Sequence, residues 1–288
     1  MFGQPRYRRV NALLNARLAE RTPLIAVHRG TGLGHVPENT WLAVNAALRQ
    51  GADMVEIDVV ESTDGDFFLF HDGGERHAFD QDVDIRRMTS DQIRALRYRW
   101  SDHRAGVTGL DVLLRGLGPD VLLNVDRSWW YWDDLLPFLD GFDRPGQLVF
   151  KSPVDDEWLA KLRRHPVKYP FMPMVRSRAD IDAVLGDPDI NLVGVELIAE
   201  RAEHELARPA VVTEMHGAGL AVLINAINLP DGVPLFAGRD DHTSVFGDPG
   251  EGWGWLVRHG ADIIQTDWPD LLGRYLADVV AGSSIARR

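Results

Sequence analysis

The chain has no cysteine among its 288 residues. Disulfides, thiolate nucleophiles, and zinc or iron–sulfur centres built on sulfur are therefore excluded. Basic residues are also short: 31 Lys+Arg face 43 Asp+Glu, a formal net charge of -12. A field of that sign repels polyanions and no basic stripe offsets it, so nucleic acid is not an expected partner. Small phosphate esters stay admissible, because a bound cation and one arginine reverse the sign locally. No run approaches the ~20 apolar residues needed to cross a bilayer, so stable membrane insertion is not expected. The first 21 residues carry arginines but no apolar stretch of the signal-peptide kind, and Glu20 breaks the apolar character near their end. They read instead as an amphipathic helix around residues 10–18, and a cytoplasmic location is the expectation. Internal repeats, low-complexity tracts and linkers are missing too, and nothing in the pattern fixes an oligomeric state.

What is present is ordinary for a globular protein, with 45% hydrophobic and 26% charged residues. Apolar runs at 24–27, 54–59, 121–125, 148–150, 171–175, 192–197, 221–224 and 262–265 alternate with helical patterns such as 41–50, 157–164, 179–185 and 209–218. Apolar strands of this continuous kind suit a parallel sheet covered on both faces. Eight such strands close into a barrel, so the expected fold is α/β, a single (β/α)8 TIM barrel with an N-terminal helix. The expected division is an N-terminal helical extension, 1–22, and a barrel domain, 23–288. A dinucleotide-binding open sheet fits poorly, because Gly30-Thr31-Gly32-Leu33-Gly34 lacks the required glycine spacing. Two connections are long. One, 71–120, contains a helix at 90–96 opened by the capping pattern Thr89-Ser90-Asp91-Gln92. The other, 225–252, is rich in Gly, Pro and Asp and reads as a lid over the site or as a surface excursion.

A (β/α)8 barrel gathers its active site where the strands end. His28 and Arg29 end the first strand, Glu56 and Asp58 the second, Asp126 the third, Lys151 the fourth, Glu196 the sixth and Asn225 the seventh, while Thr266 and Asp267 end the eighth. Glu56 and Asp58 stand two apart on a strand, so both project to the same face, here the barrel interior. Crowded together they repel unless a cation binds or one is protonated. With Asp126 they form an oxygen site suited to Mg²⁺ or Ca²⁺. His28 and His71 offer an acid and a base that titrate near neutrality, and Arg29 can grip a phosphate with two donors. Other histidines, such as His103, His165 and His259, stand in helical or loop contexts and read as structural.

The ordered set His28-Arg29-Gly30, Pro37-Glu38-Asn39-Thr40, Gly51-Ala52-Asp53, Glu56-x-Asp58, Asp64-Gly65, His71-Asp72 and Thr266-Asp267-x-Pro269 resembles the glycerophosphodiester phosphodiesterase family. The resemblance is dense from His28 to Asp72 and thinner beyond. It implies a (β/α)8 barrel that cuts small-molecule glycerophosphodiesters into an alcohol and glycerol 3-phosphate. It further implies a divalent metal ion (Mg²⁺ or Ca²⁺, with Mn²⁺ also suitable) on Glu56, Asp58 and Asp126, and His28 with His71 as general acid and base. Arg29 would then lie on the phosphate, with Glu38 supporting the network.

The chain departs from that family's pattern where Asp126-Arg127-Ser128 replaces Glu-x-Lys. Lys151 is the candidate substitute for the missing amine, against the alternative of a surface lysine, and Glu196 is taken with it as a substrate contact. The seventh strand has Ile224-Asn225-Ala226 in place of the family's tryptophan. Trp129, Trp130, Tyr131 and Trp132 offer faces for a choline-like cation, although at least half of them are expected to pack against the barrel. Three other readings stand beside the hydrolase: a same-fold phospholipase-D-like lyase leaving a cyclic phosphate, a non-catalytic phosphate-ester binding protein, and a carbohydrate-active barrel pairing Glu56 with Glu196.

Overall fold

Along most barrel strands the inward side chains change from apolar to polar as the strand runs to its C-terminal end, and this gradient positions the site. The computed structural model describes residues 1–101 and 105–285, with the side chains of 280 and 282–285 left aside; His103 lies outside the described residues. The strands are β1 (Leu24–Val27), β2 (Met54–Glu61), β3 (Phe67–Leu69), β4 (Thr108–Gly109), β5 (Leu122–Asp126), β6 (Leu148–Phe150), β7 (Met174–Val175), β8 (Gly194–Leu197), β9 (Ala221–Asn225) and β10 (Ile263–Thr266). Parallel ladders join β6–β5–β2–β1–β10–β9–β8–β7. Single parallel bridges, Phe150–Phe171 and Pro153–Met174, connect the two ends of that order. The result is an α/β fold with an eight-stranded sheet curled on itself, consistent with a (β/α)8 barrel.

The run at 171–175 is less of a strand than its apolar character predicts, with only Met174–Val175 regular. Pro170 and Pro173 explain the loss, because neither has an N–H to give the ladder. Helices Trp41–Arg49, Asp156–Arg164, Arg178–Val184 and Pro209–Gly217 fall where the periodicity places them. So does Ser90–Ala95, which begins in a capping box between Thr89 and Gln92. The helices Leu110–Gly116, Trp132–Asp140, Asp241–Phe246, Trp253–His259 and Pro269–Ile285 complete the α-helical layer.

The N-terminal end of the barrel is apolar. Met54, Leu122, Val149, Leu223 and Ile263 form a cluster there with Leu14 and Leu18, which come from the helix Ala12–Glu20. Each leucine buried in this way contributes roughly 1.5–3 kcal/mol. At the opposite end β2 runs on beyond the barrel and pairs antiparallel with β3, which pairs with β4. The segment between β2 and β4 has a small core of its own, including Val60, Phe68, Phe79, Ile85, Ile93 and Tyr98. Among the described residues no helix is long and apolar enough to cross a membrane.

Candidate active site

Strand register brings the acidic residues together. Asp58 on β2 is the direct partner of Asp126 on the neighbouring β5, and Glu56 stands two residues before Asp58 on the same face. One carboxylate oxygen from each of the three lies within 4.8 Å of the others. Glu56 and Asp58 are almost fully buried, at 1% and 2% exposure. Burial, and then the charges of Asp58 and Asp126, push the Glu56 carboxyl up to about 8, against the pull of His28. Arg29 and Lys151 answer part of this charge, from 3.1 Å at Asp58 Oδ2 and 2.8 Å at Asp126 Oδ2, and the acidic excess that remains suits a further cation. Glu56 Oε2 accepts from the Arg29 backbone N–H at 2.8 Å, and Asp58 Oδ2 accepts from Asn39 Nδ2 at 2.8 Å. The other oxygens of both residues remain for an ion, and an all-oxygen set suits a hard divalent cation. The donor set therefore fits the expected metal.

The first barrel connection carries the cationic side of the site. Directly after β1 the backbone turns through His28–Gly30, with Arg29 at φ 51° and Gly30 at φ 73°. A side chain at Gly30 would bring its Cβ to 2.9 Å from the Val44 backbone nitrogen, so only glycine lets the helix Trp41–Arg49 pack so closely. Arg29 Nη1 donates to Glu38 Oε1 at 2.7 Å. Its Nε lies 3.1 Å from Asp58 Oδ2 but is not aligned as a hydrogen bond, so this contact is one of charge. Asn39 holds Asp58 from both sides, because its Oδ1 also accepts the Asp58 backbone N–H at 2.9 Å.

Both histidines have one ring nitrogen engaged. His28 Nδ1 meets Asp267 Oδ1 at 2.9 Å, and His71 Nδ1 meets the Asp72 carbonyl at 3.0 Å. Both partners are acceptors, so each Nδ1 carries the proton and each Nε2 is left for chemistry. Burial opposes the charged form of His28, but the Asp267 hydrogen bond and the Glu56 charge outweigh it, and the pKa lies above its ordinary value. The loop around His71 is fixed from β5: Arg127 Nη2 and Nε bind Asp72 Oδ1 at 2.7 and 3.0 Å, and Arg86 binds the other oxygen at 3.0 Å.

Lys151 is not a surface residue. It is 2% exposed, and its Nζ lies 2.8 Å from Asp126 Oδ2 and 3.0 Å from Glu196 Oε2. Burial opposes its charge, yet those two carboxylates and Glu56 hold its pKa above the usual lysine value. Glu196 has its second oxygen bound by Asn225 Nδ2, so it faces the lysine and the barrel interior. Ser128 is turned away from the site and accepts a hydrogen bond from Trp132 Nε1 at 3.0 Å.

Of the aromatic run, Trp129 and Trp132 are buried in packing. One face of Trp130 is taken by the Arg127 guanidinium, 5.4 Å from the ring centroid. His165 bonds to Asp140 and His259 stacks on Trp255, both in packing roles. The connection between β9 and β10 supplies Asp241, which the sequence places only in a candidate lid, with Asp240 and Trp253. Asp241 is 1% exposed. Its Oδ1 accepts from Thr266 Oγ1 and Trp253 Nε1, each at 2.8 Å, and its Oδ2 accepts from the Asp267 backbone N–H at 2.9 Å. That part of the connection is tied to the end of β10 rather than free to swing. Asp241 and Asp72 act through partners far away in the chain; only the position of Asp72 beside His71 hints at its place.

A model of the Glycerophosphoryl diester phosphodiesterase family matches residues 28–271. None of the curated proteins matches the chain. Among solved structures, a glycerophosphoryl diester phosphodiesterase from Parabacteroides distasonis superposes with a TM-score of 0.72 at 15% identity, covering 92% of each chain. A phosphodiesterase from Oleispira antarctica, solved with the product sn-glycerol-3-phosphate, has a TM-score of 0.66 at 20% identity, covering 90% of this chain and 99% of that one. A protein from Silicibacter pomeroyi described as a glycerophosphoryl diester phosphodiesterase gives 0.64 at 21% identity, covering 90% and 94%. At these identities the likeness carries the fold.

Proposed function

The chain belongs to the glycerophosphoryl diester phosphodiesterase family and is a phosphodiesterase, and from that premise we propose a metal-dependent hydrolysis of glycerophosphodiesters run by His28 and His71. The observation that carries the reading is the three-carboxylate cluster of Glu56, Asp58 and Asp126 beside Arg29 and His28. Further support comes from two histidines fixed through Nδ1, which leaves Nε2 of each for chemistry. The closed (β/α)8 barrel at 23–288 and the helical extension at 1–22 belong to the same reading, supported by the bridges at Phe171 and Met174 and by the Leu14 and Leu18 packing.

In this mechanism Glu56, Asp58 and Asp126 hold a divalent ion, Mg²⁺ or Ca²⁺ being the best matches and Mn²⁺ also suitable. When bound, the ion neutralises charge on the phosphodiester and lowers the barrier to attack. Arg29 exchanges part of its contact with Glu38 and Asp58 for two phosphate oxygens. His28 Nε2 takes the proton from the attacking water while Asp267 steadies the imidazolium. The new P–O bond forms as the bond to the alcohol oxygen breaks, and His71, entering the step as the imidazolium, gives its Nε2 proton to that oxygen. Glycerol 3-phosphate and the free alcohol leave. Lys151 supplies the amine that the serine at position 128 lacks, and with Glu196 it sets the charge at the back of the phosphate site.

The test is hydrolysis of glycerophosphocholine, with products followed by ³¹P NMR, for wild type and His28→Ala, with and without EDTA. Metal-dependent release of glycerol 3-phosphate that is lost in the variant supports the reading. A stable cyclic phosphate would reassign the enzyme to the lyase reaction, and turnover unaffected by EDTA would remove the metal.

A further inference from the structure

The two histidines of the site are held by different means. His28 Nδ1 meets the carboxylate of Asp267, whereas His71 Nδ1 meets only the backbone carbonyl of the next residue, Asp72. Gly73 and Gly74 follow at once, with Gly73 at φ 90°, and glycine backbone is the freest in a protein. That carbonyl would turn with the loop, and the His71 ring with it, unless something else held the peptide.

The Asp72 side chain is the hold. It is 12% exposed, and its two oxygens are taken by separate arginines. Arg127 grips Oδ1 through Nη2 and Nε, at 2.7 and 3.0 Å, and Arg86 reaches Oδ2 at 3.0 Å. Arg86 is half exposed and shared with Asp84, so Arg127 is the firmer of the two. Arg127 directly follows Asp126 at the end of β5, inside the segment where the chain departs from Glu-x-Lys. Its backbone stands at φ 47°, a left-handed conformation that costs free energy for a residue with a Cβ. In that conformation its guanidinium binds Asp72 and packs on Trp130.

We propose that Arg127 is a positioning residue for His71: acting through Asp72, it keeps the ring aimed at the oxygen of the leaving group. This rests on the phosphodiesterase reading with His71 as general acid. A proton donor matters most where the leaving group is poor. An alkoxide must be protonated as its P–O bond breaks, whereas a nitrophenolate departs as the anion. A misaimed His71 therefore slows the first kind of ester and spares the second. An arginine that gripped the phosphate, or one that only supported the fold, would slow both alike.

The experiment uses the full chain with Mg²⁺ and measures kcat and KM for glycerophosphocholine and for the p-nitrophenyl ester of glycerol 3-phosphate. Arg127→Met should lower kcat for the choline ester by about 10²-fold, with KM changed less than about 3-fold. Its loss on the nitrophenyl ester should be at least about 10-fold smaller, and His71→Ala should show the same imbalance. Arg127→Lys, with a single ammonium in place of the fork, should recover part of the lost rate. Asp72→Asn keeps the shape of the clamped residue and decides by the same ratio if Arg127→Met does not fold. Equal losses on both esters, or a loss confined to KM, overturn the inference and leave the phosphodiesterase reading standing. If wild type turns over neither ester, that reading fails, and ¹⁵N NMR of the neutral His71 ring decides the clamp alone. A single Nδ1–H tautomer in wild type that becomes a mixture in Arg127→Met supports it; the same tautomer in both proteins overturns it.

Discussion

His28 donates from Nδ1 to the Asp267 carboxylate at 2.9 Å, which fixes both the tautomer and the direction of the ring. Removing the charge while keeping the shape separates orientation from acidity. Asp267→Asn should lower kcat by about 10²-fold or more, with KM changed less than about 3-fold. It should also withdraw one of the influences that raise the His28 pKa. His28 must be unprotonated to take a proton, so a lower pKa moves the acid limb of the pH–rate profile to lower pH. An unchanged profile with near-normal kcat would remove His28 from the role of base.

The crowding of Glu56 against Asp58 and Asp126 predicts opposite effects of one substitution on stability and on metal response. In EDTA at neutral pH, Glu56→Gln removes the cost of holding protonated a buried carboxyl whose pKa is pushed up to about 8 and should raise the melting temperature by roughly 2–6 °C. The same change removes a ligand, so the upward shift that Mg²⁺ or Ca²⁺ gives wild type should largely disappear, together with activity. Thermal unfolding with a divalent-ion titration checks both. A variant that still shows the full metal shift would place the ion elsewhere.

The parts of this site that were legible in the sequence are those that depend on local geometry. Glu56 and Asp58 share a face because a strand repeats every two residues, and the Thr89–Gln92 capping box announces its own helix. The register that sets Asp58 opposite Asp126 is a long-range property; only the expectation of adjacent barrel strands brought those residues together. Pro173 shows the limit for strands, since an apolar run alone does not reveal the ladder hydrogen bonds it cannot make. The buried role of Asp241, which the sequence offers only as part of a lid, was hidden for a different reason. The residue sits in a Gly- and Pro-rich connection without periodicity, and its three donors come from Trp253, Thr266 and Asp267.

Lys151 lies between Asp126 and Glu196 with almost no solvent contact, so its removal should be felt in folding as well as in turnover. Lys151→Met strands two buried carboxylates without their cation and should cost about 3–5 kcal/mol. The double variant Lys151→Met/Glu196→Gln takes away one of those charges and should recover part of the loss. Urea unfolding of the two variants and of wild type measures the difference. Equal stability of the single and double variants would mean that Glu196 does not depend on the lysine.

Asp241 gives a pH signature of its own. Burial, the largest influence, pushes its carboxyl up to about 7, against its hydrogen bonds from Asp267, Thr266 and Trp253 and with the charge of Asp267 adding to the rise. In the unfolded chain the group titrates at about 3.9. Between those values the native state holds a proton that the unfolded state has released, so native stability falls as pH rises through the window. Asp241→Asn has no such titration. It instead carries a pH-independent cost, because an amide presents only one acceptor oxygen to three donors. The stability gap in favour of wild type should therefore be widest near pH 4 and shrink by a few kcal/mol, to order of magnitude, by pH 8. The variant should also lose activity, since Asp267, released at its backbone N–H, no longer holds His28 firmly. Melting curves of both proteins in EDTA across pH 4–8 test the first statement. A gap that stays constant would show that Asp241 is ionised throughout and acts only as an acceptor for its three donors.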